Sequence, residues 1–567
     1  MDPTFSISTP SRHPANQKGY DAKHHRYRAE YVNPEFWTLV LDASPGLPKS
    51  ANGDVRVPSE IVSFAWHIEQ VNGAFNVQDR RTSPPNWKTE VKVPEPGAYK
   101  ITLQINLADG TRKINTRRYQ LRDFLIVGIG DSFASGQGNP DVSAVPSDDQ
   151  KAMCKATTLA LAIAKAEEML KNFFRKLKEE FKDLIEDKIK EYIPFAGKII
   201  VAELNAAGDV LELIKDGVEE IGDTVVETVK DVGRTIAEGV EEFGGWLGMG
   251  DGGESNEIKP QPARWQEPYA YRSYRSGQSL AARQVETESE FHADRVTFLS
   301  FARTGSEIDS GLLGPRTIDP NIFGDALSNL AIDDWAQNRG QIEEAKGSVR
   351  GRSIDALIIS IGGNDLGFSS VVTDSLLFSK DAKRQELANK TREKIKKQLP
   401  HELDLLKRSI DTQLKPRQVF ITEYPTGSFT KRDEDGRVKD GGPCGALSST
   451  DIPGTSTGLD VDKEDGRVLR QLGKELNQAI RAKADEFGWI FVDGIDHGFD
   501  GHGYCAHHSY FVSAEESCLN QGDFEGMLHP NKRGHGVIRD CIARALRREL
   551  FVAHESWLEP VLNVMMK

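Results

Sequence analysis

The residues of this 567-residue chain that could do chemistry stand where apolar runs end. Residues 124–130 (FLIVGIG) lead directly into Asp131-Ser132-Phe133-Ala134-Ser135-Gly136. This sets a serine at the C-terminal end of a strand, the edge at which open α/β sheets place their sites. A serine hydroxyl becomes a nucleophile only when an imidazole takes its proton, so Ser132 needs a histidine from a different loop. His529, in His529-Pro530-Asn531, is the candidate. Phosphate binding fails on spacing, because GxGxxG needs glycine where Phe133 stands and no Lys-Ser or Lys-Thr follows. The GxSxG nucleophile elbow fails too, since Ala134 occupies its last glycine position.

A rival cluster gathers Asp496, His497, Asp500, His502, Cys505, His507 and His508 in one glycine-rich segment. Its spacing matches neither HExxH nor paired CxxC, and so loose a loop would hold ligands poorly; no metal is expected. The five cysteines (Cys154, Cys444, Cys505, Cys518, Cys541) form no CxxC pair and leave two disulfides plus one free thiol open. Three of them fall between 505 and 541, a density that points toward an oxidising, extracytoplasmic compartment.

Four segments together resemble the conserved blocks of the GDSL, or SGNH, hydrolase superfamily. GDSFASGQGNP (130–140) resembles block I and puts Ser132 in the nucleophile position, and FARTGS (301–306) resembles block II, carrying Gly305. Ile361-Gly362-Gly363-Asn364-Asp365 resembles the GxND of block III, and His529-Pro530-Asn531 with Gly534-His535 resembles HPNxxGH of block V. The resemblance implies a metal-free and cofactor-free serine esterase or lipase of EC class 3.1.1. It implies that His529 is the base and that the oxyanion hole is built from the N–H of Ser132, the N–H of Gly305 and the amide of Asn364. His535 reads as a structural residue at the start of the last helix. The family usually carries aspartate three residues before the histidine, but Gly526 stands there. Either a backbone carbonyl near Gly526 orients His529 in a Ser-His dyad, the favoured reading, or Asp523 reaches in as the third member. Phe499 to Cys505 (Phe-x-Gly-His-x-x-Cys) further resembles a segment preceding block V in actinobacterial-type members, where the cysteine is structural.

The elements that must position these residues are legible from patterning. Continuous apolar runs at 124–130, 296–302, 354–363, 418–424 and 489–495 alternate with helical stretches, as strands of a parallel sheet covered on both faces do. Residues 123–552 therefore read as a doubly wound, flavodoxin-like α/β domain of SGNH type. Before it, residues 1–122 hold short alternating strands separated by Pro, Gly and Asn, the pattern of an antiparallel β-sandwich. The stretch 94–110, ending in an Asp109-Gly110 turn, resembles the PKD and immunoglobulin-like modules appended to bacterial hydrolases. Within the α/β domain, residues 155–250 read as a long helical hairpin inserted after block I. Ile214, Val225, Ile236 and Leu247 recur every 11 residues, which keeps an apolar stripe nearly straight along a helix. That stripe is either the internal seam of the hairpin or a face for a membrane surface, the latter opposed by 12 acidic against 4 basic side chains over 192–250. Residues 553–567 form a tail.

Composition sets the outer limits. Net charge is −14 (72 basic, 86 acidic side chains) with 38% hydrophobic residues, which argues for a globular chain and against a nucleic-acid partner. No apolar run is long enough to span a bilayer, and Met1 to Gln17 shows no signal peptide. The expected partner is a small-molecule or lipid ester. Two other readings share the scaffold: an acyltransferase using the same acyl-enzyme, and a catalytically inactive binding protein.

Overall fold

The computed structural model describes residues 3–12, 19–71, 73, 78–147, 150–151, 154, 260–288, 294–316, 339–367, 381–433, 435–440, 463–504 and 506–551. The hairpin expected at 155–250 and the tail at 553–567 lie outside the described residues, as do Cys444 and Cys505. In chain order the strands are β1 (Ser6–Ser8), β2 (Tyr20–Asp21), β3 (Arg26–Tyr27), β4 (Trp37–Asp42), β5 (Ile61–Gln70), β6 (Gln78–Thr82), β7 (Lys88–Val93), β8 (Gly97–Leu107), β9 (Arg112–Gly130), β10 (Asp294–Ser300), β11 (Ala356–Ser360), β12 (Gln418–Thr422), β13 (Thr430–Arg432), β14 (Val438–Asp440) and β15 (Ile490–Val492). The helices are α1 (Ala29–Val32), α2 (Ser132–Ser135), α3 (Gly277–Thr287), α4 (Gln341–Val349), α5 (Asp381–Gln413), α6 (Lys463–Phe487), α7 (Ile495–Phe499), α8 (Ala514–Gln521) and α9 (Lys532–Leu546).

Each of the five apolar runs supplies one parallel strand, in the order β10–β9–β11–β12–β15. Numbered along the chain this order is 2-1-3-4-5, that of flavodoxin-like doubly wound sheets. Alternation along β9 shows why the runs are apolar throughout. Leu125, Val127 and Ile129 pack with α4, α5 and α6 through Ile342, Leu399, Leu403, Leu472 and Leu476. Phe124 and Ile126 point the other way, to α3 and α9 through Ala281, Val285, Ile538 and Ile542. Both faces are dry here, so no polar position survives from Phe124 to Gly130.

Two antiparallel sheets precede this one. Strands β1, β4 and β7 form the first, and β6, β5, β8 and the start of β9 form the second. Leu39, Leu41, Val91 and Val93 of the first share one buried core with Phe64, Trp66, Ile101 and Leu103 of the second. The Phe5 ring meets the Trp66 ring edge-on, with centroids 5.3 Å apart. The Asp109-Gly110 turn closes the hairpin of β8 and β9 as its sequence predicts.

No linker separates these sheets from the parallel one. Strand β9 pairs antiparallel with β8 over 112–121 and parallel with β10 over 122–128. At the changeover, buried Asp123 accepts from Trp37 Nε1 (3.0 Å) and faces Arg12 (2.9 Å) and Arg352 (3.2 Å), while Arg122 pairs with Asp294 through two hydrogen bonds. The hairpin of β2 and β3 belongs with the α/β layer: Tyr20, Tyr27 and Val32 lie in the core that β9, β10 and β11 share.

Candidate active site

The turn after β9 is built by its own backbone requirements. Gly130 has φ +138°, and a Cβ there would strike the carbonyl oxygen of Ser360 on β11. Only glycine lets the two strand ends approach so closely. Asp131 then caps α2, accepting the Phe133 N–H at 3.0 Å, and Ser132 becomes the first helical residue. Ser132 is buried to 7% exposure. Among the described residues its N–H and its hydroxyl make no hydrogen bond.

The other two oxyanion candidates follow β10 and β11, the strands on either side of β9. Gly305, after β10, adopts φ +64°; a Cβ there would lie 2.9 Å from Arg316 Nη2. Its N–H has no acceptor among the described residues. Asn364, after β11, donates one amide hydrogen to the Ser306 carbonyl at 2.9 Å, leaving the second hydrogen for a ligand. Asp365 beside it turns inward and accepts the Ile308 N–H at 2.7 Å, which joins the loops after β10 and β11.

His529 comes to the same place from the C-terminal side. Its ring lies 5.9 Å from the Phe133 ring, and its Cβ packs against Gly138 in the turn that follows α2. Nδ1 lies 3.2 Å from the Met527 carbonyl, which can only accept, so the hydrogen sits on Nδ1 and Nε2 carries the lone pair. Among the described residues no hydrogen bond joins Ser132 Oγ to His529; such contacts often tighten only when substrate binds. Burial lowers the His529 pKa to about 4, against backbone carbonyls that raise it.

Asp523 is engaged elsewhere. It accepts from the Tyr271 hydroxyl at 2.7 Å, Gln521 Nε2 at 2.7 Å and the Glu525 N–H at 2.9 Å. At 526 a Cβ would meet Gln521 Oε1 at 2.7 Å and Ser517 Oγ at 2.8 Å, so an aspartate there would require those two side chains to shift. His535 is buried; its Nδ1 accepts the Gly277 N–H at 3.2 Å and its Nε2 faces the Gln137 carbonyl at 3.4 Å. It joins α9 to α3 and to the turn after α2. Burial depresses its pKa to about 4 as well.

Both histidines are therefore neutral when folded and bind protons more readily when unfolded, so their contribution to stability is present above pH 6.5 and is lost as pH falls toward 4. Proton NMR should find both rings neutral at pH 6.5, where an ordinary imidazole is half charged. Half-protonated rings at that pH would refute the assignment.

The cysteines resolve in part. Cys154 is bonded to Cys518, and Cys541 is a buried free thiol. Cys518 lies in α8, so the bond fastens the chain after block I to the helix that leads into the His529 loop. In the His-rich segment, His502 stacks on Tyr510 with centroids 4.0 Å apart and bonds the His508 carbonyl through Nδ1 at 2.9 Å. Asp496 accepts from Thr426. Among the described residues no group of three His, Cys, Asp or Glu side chains is placed to hold a metal, and no helix is long and apolar enough to cross a membrane.

Sequence reading missed two buried polar residues of the site, Gln341 and Tyr424. Tyr424 closes the apolar run 418–424, two residues past the C-terminal end of the parallel strand β12, a position that could have marked it. Gln341, the first residue of α4, carries no such signal.

No family model matches the chain, and no curated protein matches it in sequence. Among solved structures it is similar to an extracellular lipase from Streptomyces rimosus, at 20% identity over 49% of this chain and 88% of that one, TM-score 0.33. It is also similar to phospholipase A1 from Streptomyces albidoflavus NA297, at 17% identity over 49% and 88%, TM-score 0.31. A family two carbohydrate esterase from Clostridium thermocellum overlaps at 10% identity over 96% and 99%, TM-score 0.24. Overlaps at these scores assign no residue a role; the chemistry rests on the side chains themselves.

Proposed function

We propose that the chain is an SGNH-type serine esterase or lipase that hydrolyses carboxylic esters through an acyl-Ser132 intermediate. What supports this reading is the set of hydrogen bonds that ties the loops of Gly305 and Asn364 to the turn of Ser132, with the His529 ring beside Phe133 and its Nδ1 committed to a carbonyl. In acylation, His529 Nε2 takes the Ser132 proton as Oγ bonds to the ester carbon. The oxyanion is held by the N–H groups of Ser132 and Gly305 and the Asn364 amide. Collapse breaks the bond to the alcohol oxygen, which leaves with the proton from His529. Water then attacks the acyl-enzyme, giving its proton to His529, and the acid departs as Ser132 regains a proton. Residues 1–122 are read as an immunoglobulin- or PKD-like module appended to this hydrolase.

A fluorophosphonate probe tests the reading directly, since only an activated serine reacts with it. Labelling of the wild-type chain at Ser132, with turnover of p-nitrophenyl acetate, is expected. A chain that neither labels nor hydrolyses esters is a binding scaffold instead.

The base is a dyad histidine in this reading, because the Met527 carbonyl already takes its Nδ1–H. Asp523→Asn should therefore lower kcat less than about tenfold, whereas losing a triad carboxylate costs on the order of 10⁴. A fall of the larger size would reinstate Asp523 as the third catalytic member.

A further inference from the structure

The three oxyanion donors sit on separate loops, and catalysis of this kind requires such groups to be held within ~0.5 Å of their working positions. Two side chains that touch none of the reacting atoms join those loops. Gln341 is fully buried, and its amide makes a two-point clamp on Gly130, accepting the N–H at 2.8 Å and donating to the carbonyl at 2.8 Å. The same amide nitrogen donates to Ser306 Oγ at 2.9 Å, on the residue after Gly305. Tyr424 does the corresponding work on the other side. Its hydroxyl donates to Asp131 Oδ2 and accepts the Gly363 N–H at 3.3 Å. Asp131 caps the helix that carries Ser132, and Gly363 precedes Asn364.

The Tyr424 ring is fixed in turn. It meets the Phe133 ring edge-on at 5.4 Å, and its backbone is held by Asn477, which accepts the Tyr424 N–H at 2.9 Å and donates to its carbonyl at 2.8 Å. With the Asn364 bond to the Ser306 carbonyl, the contacts close a circuit. It runs from Asn364 through Ser306, Gln341, Gly130, Asp131, Tyr424 and Gly363 back to Asn364, and every oxyanion donor is on it or one bond from it.

We infer that Gln341 and Tyr424 are positioning residues that hold the Ser132, Gly305 and Asn364 donors in register for the oxyanion. This rests on the acyl-serine reading proposed above. Both acylation and deacylation pass through a tetrahedral oxyanion, so slackening the donors slows the two steps together and spares KM. A purely structural role would lower stability and leave the turnover of folded molecules alone.

The test uses the full chain, p-nitrophenyl acetate, and active sites counted by exhaustive fluorophosphonate labelling. Tyr424→Phe keeps the ring and removes the hydroxyl; Gln341→Met keeps the volume and removes the amide. Deleting an oxyanion donor outright costs ~10²–10³-fold, so misaligning donors should lower kcat per labelled site by roughly 10- to 100-fold, with KM within about threefold. The inhibition constant of a trifluoromethyl ketone, which forms an oxyanion on Ser132, should rise by the factor that kcat/KM falls. Combining both substitutions should cost less than the product of the two factors, because a circuit opened once gains little from a second break. Ser306→Ala, which deletes only the hydroxyl Gln341 reaches, serves if Gln341→Met does not fold and should lower kcat in the same direction.

Variants that keep wild-type kcat per site, or that lose activity only through KM, overturn the inference and leave the proposed function standing. A wild-type chain without label or esterase activity overturns both.

Discussion

Replacing Ser132 by alanine is expected to lower ester turnover by on the order of 10⁶-fold while leaving the melting temperature where it is. The first half follows from the chemistry: without Oγ there is no acyl-enzyme, and the oxyanion donors alone retain only a small residue of catalysis. The second half follows from the local structure. Among the described residues the Ser132 hydroxyl has no hydrogen-bond partner, and the α2 cap is supplied by Asp131. Removing the oxygen therefore leaves no orphaned group. Progress curves with p-nitrophenyl acetate and thermal melts of the two proteins check both halves. Activity above about a tenth of wild type would sink the nucleophile assignment.

The largest stability effect is expected at Arg272. This fully buried guanidinium donates to the Ser300 carbonyl at 2.7 Å through Nη1 and to the Tyr20 hydroxyl at 3.0 Å through Nη2. Tyr20 passes its own hydrogen to Glu267 at 2.8 Å, and His25 reaches the same carboxylate oxygen at 2.7 Å. Arg272→Met would remove the buried positive charge that acts on Glu344 and Glu267 and leave the Ser300 carbonyl without this donor. Removing one member of such a buried network costs about 3–5 kcal/mol. Chemical denaturation measures it, with Arg481→Ala as the control; Arg481 packs its guanidinium over the Phe491 ring near the surface, where substitutions fall within about 0.5 kcal/mol. A loss under about 1 kcal/mol at Arg272 would show the network is not what secures the β2–β3 hairpin.

That hairpin marks where sequence reading ended. The parallel strands were legible because burial on both faces leaves an unbroken apolar signature, as in Phe124 to Gly130. Strands β4, β5, β7 and β8 were legible because one dry face and one wet face impose alternation. Strand β6, Gln-Asp-Arg-Arg-Thr, is wholly polar; it pairs along the edge of β5 through its backbone and through the Arg81–Ser63 and His67–Asp79 side-chain contacts, and no apolar alternation reports such pairing. Strands β2 and β3 have two residues each, too few for any period, and their place in the fold is fixed by Arg272 and Glu267, some 240 residues away.

The site divides in the same manner. Ser132, Gly305, Asn364 and His529 stood in motifs, since the roles proposed for them demand particular residue types at particular turns. Gln341 and Tyr424 act through contacts that exist only once four loops have met, and no local spacing encodes such a meeting. That glycine stands at 526 was visible, but the closeness of Ser517 and Gln521 to it was not.

Strand β9 gives the molecule a fixed gauge. From Leu121, where the antiparallel pairing ends, to Ser132 the chain runs almost wholly as one extended strand, roughly 3.3 Å per residue, with no flexible joint. Leu121 therefore stands about 35 Å from Ser132 along the strand, and the antiparallel sheets cannot be swung toward the serine. A loose linker would let the two sheet systems sweep past one another; the shared strand fixes them in one relative placement. Placing a spin label on each side of Asp123 should give a narrow distance distribution in solution, the ion cluster around that carboxylate acting as the rivet that keeps the gauge rigid.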